Sequence, residues 1–94
     1  MADFKFDGKD LRDRSGSKIG YIDGKNVRDR TGKKVGTIDG KYIRDYKGSK
    51  LAEFDGKNIR DSRGSKIGTG DEVRKIIKGI GGTSLVALWL LFIR

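Results

Sequence analysis

Single aliphatic residues recur at positions 11, 19, 27, 35, 43, 51, 59 and 67, each isolated among polar and charged neighbours. Glycine keeps the same interval of eight, at 8, 16, 24, 32, 40, 48, 56 and 64. A step of this length is too short for a helical hairpin. It fits a strand of about five residues and a loop of about three, typically a type I turn closed by a left-handed residue, where glycine carries no steric penalty. The pattern predicts a mainly β fold, an up-and-down antiparallel meander. At twice the interval whole segments repeat: Phe6-Asp-Gly-Lys-Asp-Leu-Arg-Asp13, Ile22-Asp-Gly-Lys-Asn-Val-Arg-Asp29, Ile38-Asp-Gly-Lys-Tyr-Ile-Arg-Asp45 and Phe54-Asp-Gly-Lys-Asn-Ile-Arg-Asp61. The chain thus reads as four 16-residue hairpin repeats with no insertion between them. A fixed period of this kind governs the whole architecture.

Three-residue loops such as 22–24 would set residue 21 opposite 25, 20 opposite 26 and 19 opposite 27, and the next loop would set 27 opposite 35. All eight aliphatic residues then fall in one row, as a buried face requires. The other face carries Arg12, Arg28, Arg44 and Arg60 opposite Lys18, Lys34, Lys50 and Lys66. It also carries Gly20, Gly36, Ala52 and Gly68 against Asp10, Asn26, Tyr42 and Asn58. Tyr21 falls on the aliphatic side. Asp13, Asp29, Asp45 and Asp61 point the same way, where they are placed to cap a turn or pair with a neighbouring lysine. One buried side chain per strand, helped by Phe6, Ile22, Ile38 and Phe54 in alternate loops, makes a thin core. Such a sheet should curl around its aliphatic row or be covered by another element.

The tandem pattern ΦDGKxΦRDxxGxKΦGx, over about residues 4–69, resembles the bacterial repeat proteins called four-fold β-flowers. The resemblance implies hairpins set as petals around a pseudo-fourfold axis, with no catalytic residues and no known function. The third copy departs from the pattern, with Leu51-Ala52-Glu53 in place of Ile-Gly-Tyr/Thr. Alanine tolerates a close-approach site less well than glycine, which implies a slightly displaced petal.

The repeat ends at Gly68-Thr69-Gly70, so a β-repeat domain is expected over 1–69 and a different segment over 70–94. Thr69 or Asp71 can cap a helix starting at Glu72, with acids at its positive end. No charge lies between Gly79 and Ile93. The run is somewhat short of the ~18–20 residues of a spanning helix. Lys78 and Arg94 are nevertheless placed to snorkel from its ends, and Trp89 suits an interface. Because 85–93 is apolar on every side, a C-terminal membrane anchor is expected, carried by Ile80, Leu85, Val86, Leu88, Trp89, Leu90, Leu91, Phe92 and Ile93. Internal packing and a bundle of tails in an oligomer are the alternatives. Length argues against internal packing: 76–93 as one helix spans about 27 Å, while five-residue strands span about 17 Å.

Composition narrows the chemistry. The 94 residues hold no Cys, His or Pro, which removes disulfides and the commonest nucleophiles, bases and metal ligands. The four Asp-Arg pairs lack the asymmetry that separates an acid from a base. Gly79-Ile-Gly-Gly-Thr-Ser84 lacks the Lys-Ser/Thr ending of a phosphate loop. Each Asp-Gly has a base close by, unlike the converging carboxylates of a calcium site. Neither an enzyme nor a metal or cofactor site is expected. A net charge of +9 points to anionic partners. The first expectation is a membrane-associated scaffold or interaction module. It would be anchored by its tail on the cytoplasmic side of the bacterial inner membrane, since no secretory signal precedes the repeats and positive charge stays inside. The alternative is a soluble cytoplasmic binder of polyanions, nucleic acid among them but unspecifically, through the eight-residue basic face. Self-association or a protein partner fits either reading, and no small-molecule substrate is evident.

Overall fold

Two kinds of turn set the hairpins. In the computed structural model, which describes residues 3–79 and 82–93, the outer turns follow each Arg-Asp pair. Gly32 N donates to Asp29 O (3.0 Å) and Asp29 N to Lys33 O (2.9 Å), and Gly32 has φ +93°. This is the expected three-residue loop closed by glycine. Asp29 caps it as expected: its Oδ1 accepts from the backbone N of Thr31 (2.9 Å) and Lys33 (3.1 Å). Asp13, Asp45 and Asp61 repeat the arrangement.

The inner turns differ from expectation. Asp23 pairs with Asn26, Ile22 with Val27, Tyr21 with Arg28 and Gly20 with Asp29. Gly24 (φ +63°) is therefore the first residue of a two-residue turn, the place glycine takes in type II′ hairpins, and not the close of a longer loop. The three-residue shift in pairing changes which side chains face each other. Ile22, Ile38, Phe54 and Phe6 become strand residues opposite Val27, Ile43, Ile59 and Leu11.

The expected single row of eight aliphatic residues is not formed. Between Val27↔Gly36 and Arg28↔Lys34 the register slips, leaving Val35 as the extra residue of a bulge. Ile19, Leu51 and Ile67 are placed likewise. Leu11, Val27, Ile43 and Ile59 are fully buried. Of the bulge residues, Ile19, Val35 and Ile67 pack half-buried against the core, and Leu51 is half-buried. The slip also turns Gly20, Gly36, Ala52 and Gly68 to the inside and carries Tyr21 to the outside with Arg28.

The strands are β1 (Phe4–Phe6), β2 (Asp10–Asp13), β3 (Lys18–Asp23), β4 (Asn26–Asp29), β5 (Lys34–Asp39), β6 (Tyr42–Asp45), β7 (Lys50–Phe54), β8 (Asn58–Asp61), β9 (Lys66–Thr69) and β10 (Ile77–Lys78). They form one sheet in the order β10-β1-β2-β3-β4-β5-β6-β7-β8-β9. All neighbours are antiparallel except β10 and β1, which run parallel. Helix α1 (Gly70–Ile76) joins β9 at one end of the sheet to β10 at the other. Thr69 caps it, accepting from Glu72 N at 3.3 Å.

The ring has five units, not four. Gly70 N donates to Lys57 O, as Ile22 N does to Lys9 O, Ile38 N to Lys25 O and Phe54 N to Lys41 O. Gly70 thus continues the 16-residue beat of 22, 38 and 54, and α1 replaces the return strand of a fifth petal.

The tail fills the ring. Helix α2 (Thr83–Leu88) and the π-helical turn that continues it (Trp89–Ile93) lie against the sheet. Leu85, Val86 and Leu88 are fully buried, and Trp89 is 9% exposed. Leu90, Leu91, Phe92 and Ile93 pack against the same core. A membrane-spanning segment is not supported, since no helix among the described residues is long and apolar enough to cross a bilayer. Ile80, also assigned to the anchor, lies outside the described residues. The length argument fails because the tail is not one helix: Ile77–Lys78 form a strand, and the helical residues 83–93 span about 16 Å, close to a five-residue strand. With 85–89 buried and 90–93 half-buried against the ring, the tail turns no side fully to solvent, so it needs no polar face.

Close approach depends on missing side chains. A Cβ on Gly36 would lie 2.7 Å from Leu91 Cδ1 and 2.8 Å from Arg44 O, and one on Gly20 would lie 2.7 Å from Arg28 O and overlap Phe92. Ala52, at the equivalent place in the third petal, is accommodated fully buried. In urea titrations Gly36→Ala is expected to cost about 1–3 kcal/mol by overpacking, and Leu88→Ala about 2–5 kcal/mol by leaving a cavity. Unchanged midpoints in both would contradict a tail packed inside the ring.

Candidate binding surface

The bulges leave one sequence expectation intact: Arg12 opposes Lys18, Arg28 opposes Lys34, Arg44 opposes Lys50 and Arg60 opposes Lys66. The arginines also hold the outer turns. Their Nη1 atoms donate to Gly16 O (3.0 Å), Gly32 O (2.9 Å), Gly48 O (3.1 Å) and Gly64 O (3.2 Å). A guanidinium has further donors in a fixed fork, so this bond leaves others to point outward.

Acids are more evenly interleaved on this face than the one-letter pattern implies. Arg28 Nε reaches Asp23 Oδ2 at 3.3 Å and Arg44 Nε reaches Asp39 Oδ2 at 3.4 Å. In the first petal Asp10 lies 3.5 Å from both Arg12 and Lys18, and in the third Glu53 takes Lys50 (3.2 Å) and Lys41 (3.7 Å). These partly exposed pairs contribute little individually. Lys34 and Lys66 are exposed, and no ion pair involves either among the described residues. Tyr21 and Tyr42 both lie on this outer face. Lys18 Nζ sits 4.2 Å from the Tyr21 ring centre, and Lys50 (4.8 Å), Lys41 (5.4 Å) and Arg44 (5.9 Å) surround Tyr42. The two-residue turn and the bulge at Ile19 together bring Tyr21 to this face, where a three-residue loop without a bulge would turn it inward.

At the rim of the outer turns, the first and second petals frame an open cleft of about 380 Å³. It was not anticipated, because its residues are turn caps in two successive petals and a tail residue from the far end of the chain. Asp13, Asp29, Arg30 and Thr31 stand around it, and Ile19 and Phe92 provide apolar lining. No cluster of potential metal ligands occurs among the described residues.

Asp7, Asp13, Asp29 and Asp55 are held ionised by their turns. The Ser15 hydroxyl, followed by the Ser17 amide, keeps Asp13 below the ordinary carboxylate value, and the Thr31 hydroxyl does the same for Asp29. Asp7 and Asp55 are lowered chiefly by the backbone amides of Asp10 and Lys9, and of Asn58 and Lys57. A lowered native pKa contributes stability that is present above the unfolded value near 3.9 and is lost as pH falls through the native value. The melting temperature should therefore drop on acidification below about pH 4, and drop less in Asp13→Ala and Asp29→Ala, which are weaker from the start. A midpoint flat to about pH 3 would contradict the capping role.

Comparison with known families agrees with this geometry. No curated protein and no solved structure matches the chain. The 5-fold β-flower protein family matches residues 4–81, a span that takes in both incomplete ends of the repeat. With four hairpins and a fifth unit closed by α1, the chain belongs to the 5-fold β-flower family.

Proposed function

We propose that this β-flower domain is a non-enzymatic binding module for extended polyanions, using the outer face of the ring. The observation that carries the reading is the fourfold repetition of an arginine directly opposite a lysine. Like charges across strands destabilise a sheet, so stability alone does not account for them. The arginines have a structural use in the turns, whereas no ion pair among the described residues engages Lys34 or Lys66 opposite them. Successive pairs lie two strands apart, or about 10 Å, and follow the curvature of the ring. A flexible anionic polymer can follow such a curve, whereas a flat bilayer would meet only part of it.

The same geometry limits specificity. The tyrosine rings on this face are attended by cations, so contacts to phosphate, sulfate or carboxylate groups are favoured over base stacking. Binding should be steeply salt-dependent and tolerant of polymer sequence. A membrane-bound scaffold, the other reading, is left without a spanning helix among the described residues to support it.

The test is fluorescence anisotropy with labelled single-stranded DNA and polyphosphate across a salt series. For single-stranded DNA the log–log slope is expected to be about −0.7 per neutralised phosphate, and Lys34→Gln/Lys66→Gln should flatten it by about 1.4. Absence of binding to both polymers at low salt would overturn the proposal, as would binding indifferent to the two lysines. Binding confined to anionic vesicles would replace it with the membrane reading.

A further inference from the structure

The cleft at the outer rim differs in character from the basic face. Asp13, Asp29, Lys18 and Arg30 line it, two acids to two bases in a molecule of net charge +9, with the Lys18 ammonium directed to Asp10 (3.5 Å) and the Tyr21 ring (4.2 Å). A site without net charge has no electrostatic preference for a polyanion or a cation.

Its polar groups are held in place and directional. In each aspartate Oδ1 carries the turn: Asp13 Oδ1 accepts from Ser15 N, Ser15 Oγ and Ser17 N, and Asp29 Oδ1 accepts from Thr31 N, Thr31 Oγ1 and Lys33 N. The second oxygens lie outside those turn bonds. An ionised carboxylate only accepts, so it needs a donor from its ligand, while the guanidinium of Arg30 needs an acceptor. Hydroxyl groups meet both requirements. The half-buried Phe92 and Ile19 add apolar lining. Cavities that bind small molecules combine such an apolar wall with a few fixed polar groups.

We infer that this cleft binds a pyranose sugar, with the apolar face of the ring on Phe92, its hydroxyls donating to Asp13 and Asp29, and Arg30 donating to a ring or hydroxyl oxygen. About 380 Å³ admits one or two such rings. The site is built from the outer turns of the first two petals and the end of the π-helical turn, so it forms only when the tail occupies the ring. It does not rest on the polyanion reading, since none of its proposed contacts uses Lys34, Lys66 or the four strand arginines.

The experiment is saturation-transfer and amide-shift NMR on the full chain with methyl pyranosides of glucose, galactose and mannose at about 10 mM, which detects millimolar affinities. At least one pyranoside should receive saturation on its ring protons and shift amides in 13–19, 29–31 and 91–93. Arg30→Ala should weaken it about tenfold, a loss of ~1.4 kcal/mol. Phe92→Leu keeps an apolar side chain against Gly20 but removes the flat ring, and should also weaken it. No saturation transfer to any pyranoside would overturn the inference. So would transfer unchanged in both variants, or shifts of these amides produced by benzylamine and by no sugar, which would mark the carboxylates as a cation site.

Discussion

The fold depends on burial of an apolar helix inside a ring that has too little core of its own. Each hairpin of the sheet supplies one cross-strand apolar pair, such as Ile22–Val27 or Ile38–Ile43. Facing one another across an empty ring, these residues would leave a void that neither packing nor dispersion tolerates. Residues 83–93 supply the missing volume, and Gly20, Gly36 and Gly68 let Phe92, Leu91 and Trp89 approach the strand backbone. The bulges at Ile19, Val35, Leu51 and Ile67 have the same purpose. They bend the strands around the tail and turn the small residues inward.

With the inside so committed, the outside is left to charge. The turns are built from aspartate caps and glycine, the arginines brace them, and the lysines opposite keep long cationic stems over the strands. The result separates two surfaces. Around the circumference runs a repeated basic strip, and at the outer rim lies a small cleft whose charges balance and whose lining includes the tail. A single chain thereby presents an electrostatic surface and a shaped site within one small ring.

Much of this was legible in the repeat. The interval of eight identifies strands, the Arg-Asp-x-x-Gly segment identifies the capped outer turn, and the Arg-Lys opposition survives because one bulge residue restores the pairing near each turn. The inner hairpin register was not legible, since Asp-Gly-Lys suits both a loop that closes on glycine and a two-residue turn that opens on it. The fifth unit was obscured because its parts stand at opposite ends of the chain. Phe4-Lys5-Phe6 is the end of one long strand without its usual lysine-aliphatic start, and Gly70 replaces the expected isoleucine or phenylalanine. The tail was misread for a general reason. A helix apolar on all sides signals that it meets no water, and it does not say whether lipid or protein surrounds it. A ring of strands closed by α1 is the case in which a short helix is surrounded by protein.

The most direct test of the central claim is the fluorescence of Trp89, the chain's single tryptophan, read with and without vesicles of brominated anionic lipid. A tail packed inside the ring predicts blue-shifted emission that iodide scarcely quenches and brominated lipid leaves unchanged, since Trp89 is 9% exposed. Emission quenched by the brominated acyl chains, or red-shifted emission open to iodide, would place the tail outside the ring and contradict the account.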